Sequence, residues 1–297
     1  MRVSVVVPAH DAEATLPRAV RSALGQSCPP DEVLVVDDGS TDGTAAAATA
    51  FGPPVRLVSR PQGGPAAARN TGVAAAGGEW VAFLDADDQW HPHKLERQLA
   101  AASGDVVLVA TDWSRELRAG PAPADPARTA VGTDDLVLLN RFQTSTVLLR
   151  RRVLEESGGF DPSLDGIEDW DMWLRASRFG AVVKLDWPFV AYADTEAGYS
   201  KQLARVYRTG TEMLDRLFGD HPDRRQQVVL AWHHLRFAVA YALDGDRRRA
   251  AACLAECRRA GLLRAVPEAA VRHLLPFLAA RLARRLRGRL PGVRPAG

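Results

Sequence analysis

The sequence predicts an α/β fold in which a doubly wound, mostly parallel sheet has helices on both faces, followed by an all-helical C-terminal extension. Short β-branched runs alternate with helical patterns over roughly the first two thirds of the 297 residues, which is typical of a parallel sheet with crossover helices. After about Ser200 only helical periodicity continues. We therefore expect one domain over residues 1–199 and a helical region over 200–297.

The predicted strands are short, apolar and rich in valine, because strands covered by helices on both faces are buried on both sides. They span residues 3–7, 33–36, 55–58, 81–84, 106–110, 144–149 and 181–185. The intervening helices are expected at 16–24, 41–51, 63–76, 92–101, a short stretch ending at 157, and 169–178. Gly25 is a typical helix terminator, and Pro65 suits a first turn, where its missing N–H costs nothing.

Two further stretches complete this prediction. The proline-containing segment 115–133 is predicted to be a loop, long enough to suggest a functional flap or a disordered excursion. The C-terminal helices are expected at residues 201–218, 223–243, 246–260 and 266–287.

The composition is that of a folded protein, with 46% hydrophobic and 25% charged residues, which argues against disorder. The charge is unevenly distributed. From Lys201 onward there are 20 Lys and Arg against 8 Asp and Glu, whereas the preceding residues hold 18 and 28. An acidic N-terminal part suits a divalent cation, and a basic C-terminal part suits an anionic partner.

The cysteine pattern and the apolar runs indicate a cytoplasmic protein. Cys28, Cys253 and Cys257 are too few and too poorly spaced for a disulfide framework or a zinc site. The first apolar run ends at Pro8, too early for a signal peptide, and no uninterrupted apolar stretch reaches transmembrane length.

Acidic residues follow two of the predicted strands. Asp85 and Asp87 come directly after the strand that ends at Leu84, and Asp38 lies in the acidic turn after the second strand. Ligands of such sheets bind at the carboxyl ends of the strands. Hard divalent ions prefer carboxylate and diphosphate oxygens, and a carboxylate at Asp38 could accept a hydrogen bond from the imide N–H of uracil or thymine. Turn formation and helix capping explain each acidic cluster separately as well.

Two helix positions are further candidates. Arg69 follows a Gly63-Gly64 pair in a helix of small residues and could pair with phosphate, although tight helix packing also explains the alanines. Asp169 lies at the start of the helix at 169–178, where backbone N–H groups could position it as a general base. Helix capping is the alternative role.

Taken in order, these segments resemble the family 2 glycosyltransferases with the GT-A fold. The matching stretches are Val-Ser-Val-Val-Val-Pro at 3–8, Val-Val-Asp-Asp-Gly-Ser-Thr-Asp at 35–42, Ala-Ala-Arg-Asn-Thr-Gly at 67–72, Gly-Glu-Trp-Val-Ala-Phe-Leu-Asp-Ala-Asp-Asp at 78–88 and Glu-Asp-Trp-Asp-Met-Trp at 168–173. The resemblance covers residues 1–195. It implies an enzyme of this class, in which domain 1–199 binds a nucleotide-sugar donor and transfers the sugar to a hydroxyl acceptor with inversion.

The resemblance also assigns roles to particular residues. Pro8 and Ala9 would border the nucleoside pocket and Asp38 would bind the base, with UDP or dTDP as the preferred nucleotide. Asp85 would lie nearer the ribose and the donor, and Asp87 would bind the metal cofactor, Mn²⁺ or Mg²⁺.

In inverting members of the family, the carboxylate that matches Asp169 is usually assigned as the base. This sequence departs from the family near Val190. There many members have a Tyr-Arg-x-His segment, but the chain reads Tyr-Ala-Asp-Thr-Glu at 192–196 and lacks the histidine. Asp194 or Glu196 could replace it, or Asp87 and the diphosphate could suffice. Asp11 stands where Asn is more usual.

Two other classes of protein remain as alternatives. A dehydrogenase or nucleotidyltransferase would need a glycine-rich phosphate loop after the first strand, where the chain instead reads Pro-Ala-His-Asp at 8–11. A non-catalytic relative could bind nucleotide or glycan as an interaction module, but the presence of all the acidic candidates argues against it.

The acceptor is expected to be a glycan, a lipid-linked molecule or another hydroxyl compound. Residues 274–290 form a basic amphipathic pattern that could contact the inner face of a membrane peripherally, or pack as a terminal helix with a solvated arginine face. Nucleic-acid binding is not expected, because no aromatic residues interleave with the basic ones.

Overall fold

A computed structural model of the chain describes residues 1–193, 202–275 and 278. The chain divides into two compact units, residues 1–201 and 202–297. In the described part of the first unit, strands β1 to β9 form one sheet. They are Val3–Ala9, Glu32–Asp38, Val55–Arg60, Trp80–Phe83, Gln89–Trp90, Val106–Ser114, Arg128–Ala130, Leu148–Arg150 and Ala181–Ala191.

The sheet has the strand order β3-β2-β1-β4-β8-β6-β9-β5, and β7 pairs with β9 outside this path. Strands β3, β2, β1 and β4 are mutually parallel. β8 is antiparallel to both β4 and β6, so β6 runs in the same direction as β4, and β9 is parallel to β6. The carboxyl ends of six strands therefore meet at one edge of the sheet: β1, β2, β3, β4, β6 and β9.

The helices of this unit are α1 to α7, which span Leu16–Leu24, Thr44–Thr49, Pro65–Ala75, Lys94–Ala101, Thr133–Leu138, Arg151–Glu156 and Glu168–Ala176. The central strands that they cover are buried: Val5, Val35 and Ala82 are each 0% exposed. This burial explains the continuous valine runs, because both faces of the central strands lie against helices.

Helix α3 packs closely on the sheet because Gly72 faces it. A Cβ atom at Gly72 would lie 2.4 Å from Cγ1 of Val6 in β1 and 3.2 Å from Cγ2 of Val36 in β2. The small residues of this helix therefore allow the helix backbone to approach the sheet.

We expect Gly72→Ala to destabilise the protein by roughly 1–2 kcal/mol, because overpacking outweighs the higher helix propensity of alanine. Urea unfolding would measure this loss. Ala74→Leu is the matched control, since Ala74 is exposed on the same helix and should leave the free energy of unfolding nearly unchanged. A Gly72→Ala protein as stable as the parent would contradict the close packing.

The second unit is helical over its described residues, with α8 to α11 at Leu203–Phe218, Arg224–Leu243, Arg247–Arg259 and Val266–Ala269. Asp223 accepts a hydrogen bond from the Gln226 N–H and begins α9, and Asp246 accepts one from the Arg249 N–H and begins α10. These side chains satisfy N–H groups that have no partner within the helix. Phe237, Tyr241 and other buried residues form the core of this unit.

Several predicted boundaries differ from the structure. β9 extends to Ala191, well past residue 185, and β7 lies inside the predicted loop 115–133. The predicted strand at 144–149 begins as a 3₁₀ turn, Thr144–Thr146, and becomes a strand at Leu148. The predicted helix 266–287 is α-helical over Val266–Ala269 and continues as a π-helix, Ala270–Leu274.

Most of the basic segment 274–290 lies outside the described residues. Among the residues that are described, no helix has the length and apolar character needed to cross a membrane.

Candidate active site

A cleft of about 490 Å³ opens at the carboxyl edge of the sheet. All seven residues singled out from the sequence line it: Pro8, Ala9, Asp38, Arg69, Asp85, Asp87 and Asp169. They come from the ends of β1 and β2, from α3, from the turn after β4 and from the start of α7. The parallel sheet therefore brings together side chains that are far apart in the sequence.

At the β2 end of the cleft, Asp38 is almost fully buried. Its Oδ2 accepts a hydrogen bond from the Gly64 N–H at 2.7 Å, and its Oδ1 pairs with Arg60 and accepts from the Gly63 N–H at 3.1 Å. Gly39 has φ +75°, and a Cβ there would lie 2.9 Å from the Gln62 backbone nitrogen. Asp38 thus holds the turn that begins α3, besides lining the cleft.

Arg69 lies between two carboxylates. Its Nη2 donates to Asp85 Oδ1 at 2.9 Å and its Nη1 donates to Glu168 Oε1 at 2.7 Å. The guanidinium is 5% exposed and lies 5.7 Å from the centre of the Phe160 ring. Burial alone would lower the pKa of Arg69, but Asp85 and Glu168 raise it above its usual value, so the side chain is a fixed cation. In this structure its hydrogen bonds go to carboxylates, and pairing with phosphate stays a prediction.

Asp88 positions the turn that contains Asp85 and Asp87 through a hydrogen bond to Ser145. Ser145 Oγ donates to Asp88 Oδ2 at 2.5 Å and accepts from the Asp85 N–H at 2.9 Å. The Ala193 N–H donates to Asp88 Oδ1 at 2.8 Å. Asp88 is 0% exposed, and this burial raises its pKa to about 8, with the negative charge of Asp85 adding to the effect. The carboxyl group therefore links the backbone after β4 to the end of β9.

Asp87 is also partly buried, and this burial raises its pKa above the usual value, with the charge of Asp85 as the second cause. Its backbone oxygen accepts a hydrogen bond from Arg18 Nη2 at 2.7 Å, which fixes the turn. Asp87 and Asp88 are therefore neighbouring carboxyl groups with raised pKa values. A nearby cation would favour the ionised form of both.

Asp169 lies in the first turn of α7. Its Oδ2 accepts from Asn140 Nδ2 at 3.1 Å and from Thr144 Oγ1 at 3.3 Å, and its Oδ1 accepts from the Trp170 N–H at 2.6 Å. Burial raises the pKa of Asp169 to about 7, the charge of Glu168 adds to the effect, and Arg69 opposes it. A carboxyl group with a pKa near neutrality can exchange protons at physiological pH.

Across residues 1–193, 202–275 and 278, no group of three or more His, Cys, Asp and Glu side chains is arranged to hold a metal ion. Asp85 and Asp87 nevertheless offer hard carboxylate oxygens on one edge of the cleft. Such a donor pair fits Mg²⁺ or Mn²⁺ when substrate phosphate oxygens and water complete the coordination, which is how these ions are often bound.

The sequence did not single out several residues that complete the site. They are Asp88, Glu168, Ser145, Asn140 and Thr144. Asp88 and Glu168 are sequence neighbours of Asp87 and Asp169, so the sequence shows that acidic residues occupy these positions. It does not show that they bind Ser145 and Arg69. Ser145, Asn140 and Thr144 could not be predicted as site residues, because the polar residues of their segment are typical of an ordinary loop or strand.

A doubly wound sheet with acidic residues after β2 and β4 and a carboxylate at the start of α7 defines an α/β protein of the GT-A type. Residues 4–158 match the family model for glycosyl transferase family 2, slightly more than half of the chain. The chain belongs to this family of enzymes, and the sequence-based assignment to it is confirmed.

Among curated relatives, the succinoglycan biosynthesis protein ExoO of Rhizobium meliloti (strain 1021) is 42% identical over 112 residues, covering 37% of this chain and 32% of the relative. The chain spans about a third of the length of three of the curated relatives that it matches.

Among solved structures, S. aureus TarS 1-349 in complex with UDP-GlcNAc gives a TM-score of 0.65 at 21% identity, covering 90% of this chain and 82% of that one. The mannosyltransferase PcManGT from Pyrobaculum calidifontis in complex with GDP-Man and Mn²⁺ gives 0.61 at 23% identity, covering 94% and 79%. These likenesses confirm the predicted fold class.

Proposed function

We propose that the chain transfers a sugar from a nucleoside diphosphate-sugar to a hydroxyl group of a glycan, a lipid-linked molecule or another acceptor, with inversion at the anomeric carbon. The observation that carries this proposal is the cleft that Asp169 shares with Asp85 and Asp87. One carboxylate with a pKa of about 7 lies in the same cavity as an acidic pair suited to a cation.

The donor is expected to bind with its nucleoside against Pro8, Ala9 and Asp38 and its diphosphate toward Asp85 and Asp87. The complexes of TarS with UDP-GlcNAc and of PcManGT with GDP-Man support a nucleotide-sugar in a cleft of this fold. UDP or dTDP remains our preferred nucleotide, since the Asp38 carboxylate can accept a hydrogen bond from the imide N–H of either base.

Asp87 would hold Mn²⁺ or Mg²⁺, with Asp85 nearer the ribose and the donor. When bound, the cation offsets the negative charge that develops on the departing nucleoside diphosphate. Arg69 donates a hydrogen bond to Asp85 and fixes its direction, and Asp88 and Ser145 hold the backbone of the same turn. The complex of PcManGT with Mn²⁺ supports divalent metal use.

Asp169 would accept the proton of the acceptor hydroxyl as that oxygen attacks the anomeric carbon. Asn140 and Thr144 donate hydrogen bonds to its Oδ2 and so direct the carboxylate toward one side of the cleft. Attack from the face opposite the leaving diphosphate inverts the anomeric configuration.

The proposal is tested by the melting temperature of the protein with UDP, dTDP, GDP, CDP and ADP, each with and without Mn²⁺. A ligand at 100 times its dissociation constant stabilises a protein by about 2.7 kcal/mol. We expect one diphosphate to raise the melting temperature only when Mn²⁺ is present, and Asp87→Ala to abolish this dependence while the protein stays folded.

Asp125→Ala is the matched control, because Asp125 is a highly exposed carboxylate whose ion-pair partner is Arg128. It should keep the full response. An Asp87→Ala protein with unaltered Mn²⁺ dependence would remove Asp87 from the metal site. If no diphosphate stabilises the parent protein, the nucleotide-sugar proposal fails.

A further inference from the structure

Trp113 is an exposed aromatic side chain that contacts Tyr192, a residue that lines the cleft. It lies near the end of β6 and is 42% exposed. Within the described residues of the first unit, the other large hydrophobic side chains with comparable exposure are Met1 and Phe179. Exposed tryptophans are uncommon, because burying a ring of this size is favourable. Trp113 therefore leaves an aromatic surface open to contact with a ligand.

Tyr192 packs against Trp113. The ring centres are 5.2 Å apart and the planes are inclined by 57°. The backbone fixes the pair: Trp113 is in register with Val190 across parallel strands β6 and β9, and the Tyr192 N–H donates to the Ser114 oxygen at 2.8 Å. The register shifts on both sides of Asp112, and such irregularities at the rim of a sheet redirect side chains. We call Trp113 and Tyr192 the aromatic ledge.

The aromatic ledge is continuous with the cleft. Tyr192 and Ala193 line the same cavity as Asp87 and Asp169, and the Ala193 N–H is bonded to Asp88. In the strand order β2-β1-β4-β8-β6-β9, the ledge and Asp38 lie on opposite sides of the β4 turn. The ledge is therefore on the side of the acidic pair away from the proposed nucleoside end.

We propose that the aromatic ledge is the subsite on which a sugar ring of the acceptor stacks. One face of a pyranose carries mainly C–H groups, which pack on an aromatic face while the hydroxyl groups around the ring stay hydrated or hydrogen-bonded. A rigid pair of aromatic side chains next to the reacting groups suits such a ring. This inference rests on the proposed function and identifies the acceptor as a glycan or glycoconjugate with a sugar at its reacting end.

The subsite is tested with the full chain by NMR of its tryptophan indole N–H groups, using methyl glycosides of glucose, galactose, mannose and N-acetylglucosamine at millimolar concentrations. The Trp113 signal is identified as the one that Trp113→Phe removes. We expect at least one glycoside to shift this signal, and Tyr192→Ala to weaken that binding about fivefold, the effect of losing one aromatic contact. If none of the four shifts the Trp113 signal, the proposal is overturned.

Phe179→Ala is the matched control, because Phe179 has the same exposed fraction of 42% and does not line the cleft. It should leave glycoside binding unchanged.

The melting-temperature response to UDP, dTDP and GDP with Mn²⁺ separates this inference from the proposed function. Trp113→Ala should retain the response of the parent. If Trp113→Ala loses it, the ledge binds the nucleotide and the acceptor subsite is wrong. Glycoside binding without any nucleotide response would retain the ledge and reject the transferase proposal.

Discussion

Asp169→Asn is expected to reduce sugar transfer by about 10²–10⁴, the usual loss when a general base is removed. Asparagine has nearly the same shape, and its side-chain oxygen can still accept hydrogen bonds from Asn140 and Thr144. It cannot take up a proton at neutral pH. Nucleotide binding should therefore persist, and the defect should appear in the transfer step.

The pH profile distinguishes a base from a structural carboxylate. Because the pKa of Asp169 is about 7, transfer by the parent should rise with pH through this value as the carboxyl group loses its proton. Asp125→Asn, a charge change outside the cleft, should keep both the rate and the profile. Near-normal transfer by Asp169→Asn would place the base elsewhere.

The same pKa predicts a stability effect of defined sign. The folded protein holds the proton of Asp169 more tightly than the unfolded chain, so this residue favours folding below its ordinary pKa of 3.8 and loses that contribution as the pH rises to about 7. Asp169→Asn lacks this pH dependence. Its melting temperature relative to the parent should therefore increase between pH 4 and pH 8, and a constant difference would contradict the raised pKa.

Arg69→Met is expected to destabilise the fold by about 3–5 kcal/mol, the cost of leaving buried charges without their partner. The side chains of Arg69 and Glu168 are 6% and 8% exposed, so water cannot replace the lost contacts. The side chain of Asp85, at 28% exposed, would also lose its fixed direction. Unfolding in urea at pH 7 measures the loss.

Two further variants test the charge arrangement around Arg69. Arg69→Lys keeps the charge but cannot donate to both carboxylates in the planar geometry of a guanidinium, so we expect a smaller but clear loss of stability. Adding Glu168→Gln to Arg69→Met removes one unpaired charge and should restore part of the stability. A cost below about 1 kcal/mol for Arg69→Met would mean that the array behaves like a surface salt bridge.

The sequence predicted the fold and the cleft for one physical reason. Buried parallel strands require unbroken apolar runs, and their carboxyl ends share an edge, so the acids after Val36 and Leu84 could be placed at the same edge from the sequence alone. The two-residue strand Gln89–Trp90 and the exposed strand Arg128–Ala130 could not be predicted in this way. Both form by pairing with β9, which depends on long-range contacts and leaves no local pattern.

The same limit applies to the side chains of the site. Asp38, Asp85, Asp87 and Asp169 could be selected as candidates because they follow buried strands or begin a helix, and because the segments that contain them resemble, in order, those of the family 2 glycosyltransferases. That Arg69 would be shared between Asp85 and Glu168 depends on the three-dimensional path of the chain, and phosphate was the simpler expectation for an arginine near a diphosphate. The hydrogen-bond partners of Arg69 are determined by the tertiary contacts of α3, which the sequence does not show.

The two carboxylates that hold Arg69 lie 16 and 99 residues further along the chain. During synthesis, strands β1 to β4 can therefore pair while Arg69 has only Asp85 within reach. Its second carboxylate partner, Glu168, follows 83 residues after Asp85. Loop closure over that span is costly in entropy, so this part of the cleft is among the last to assemble. A nascent chain would consequently pair strands β1 to β4 before Arg69 acquires its second carboxylate, and β9, which begins at Ala181, completes the sheet later still.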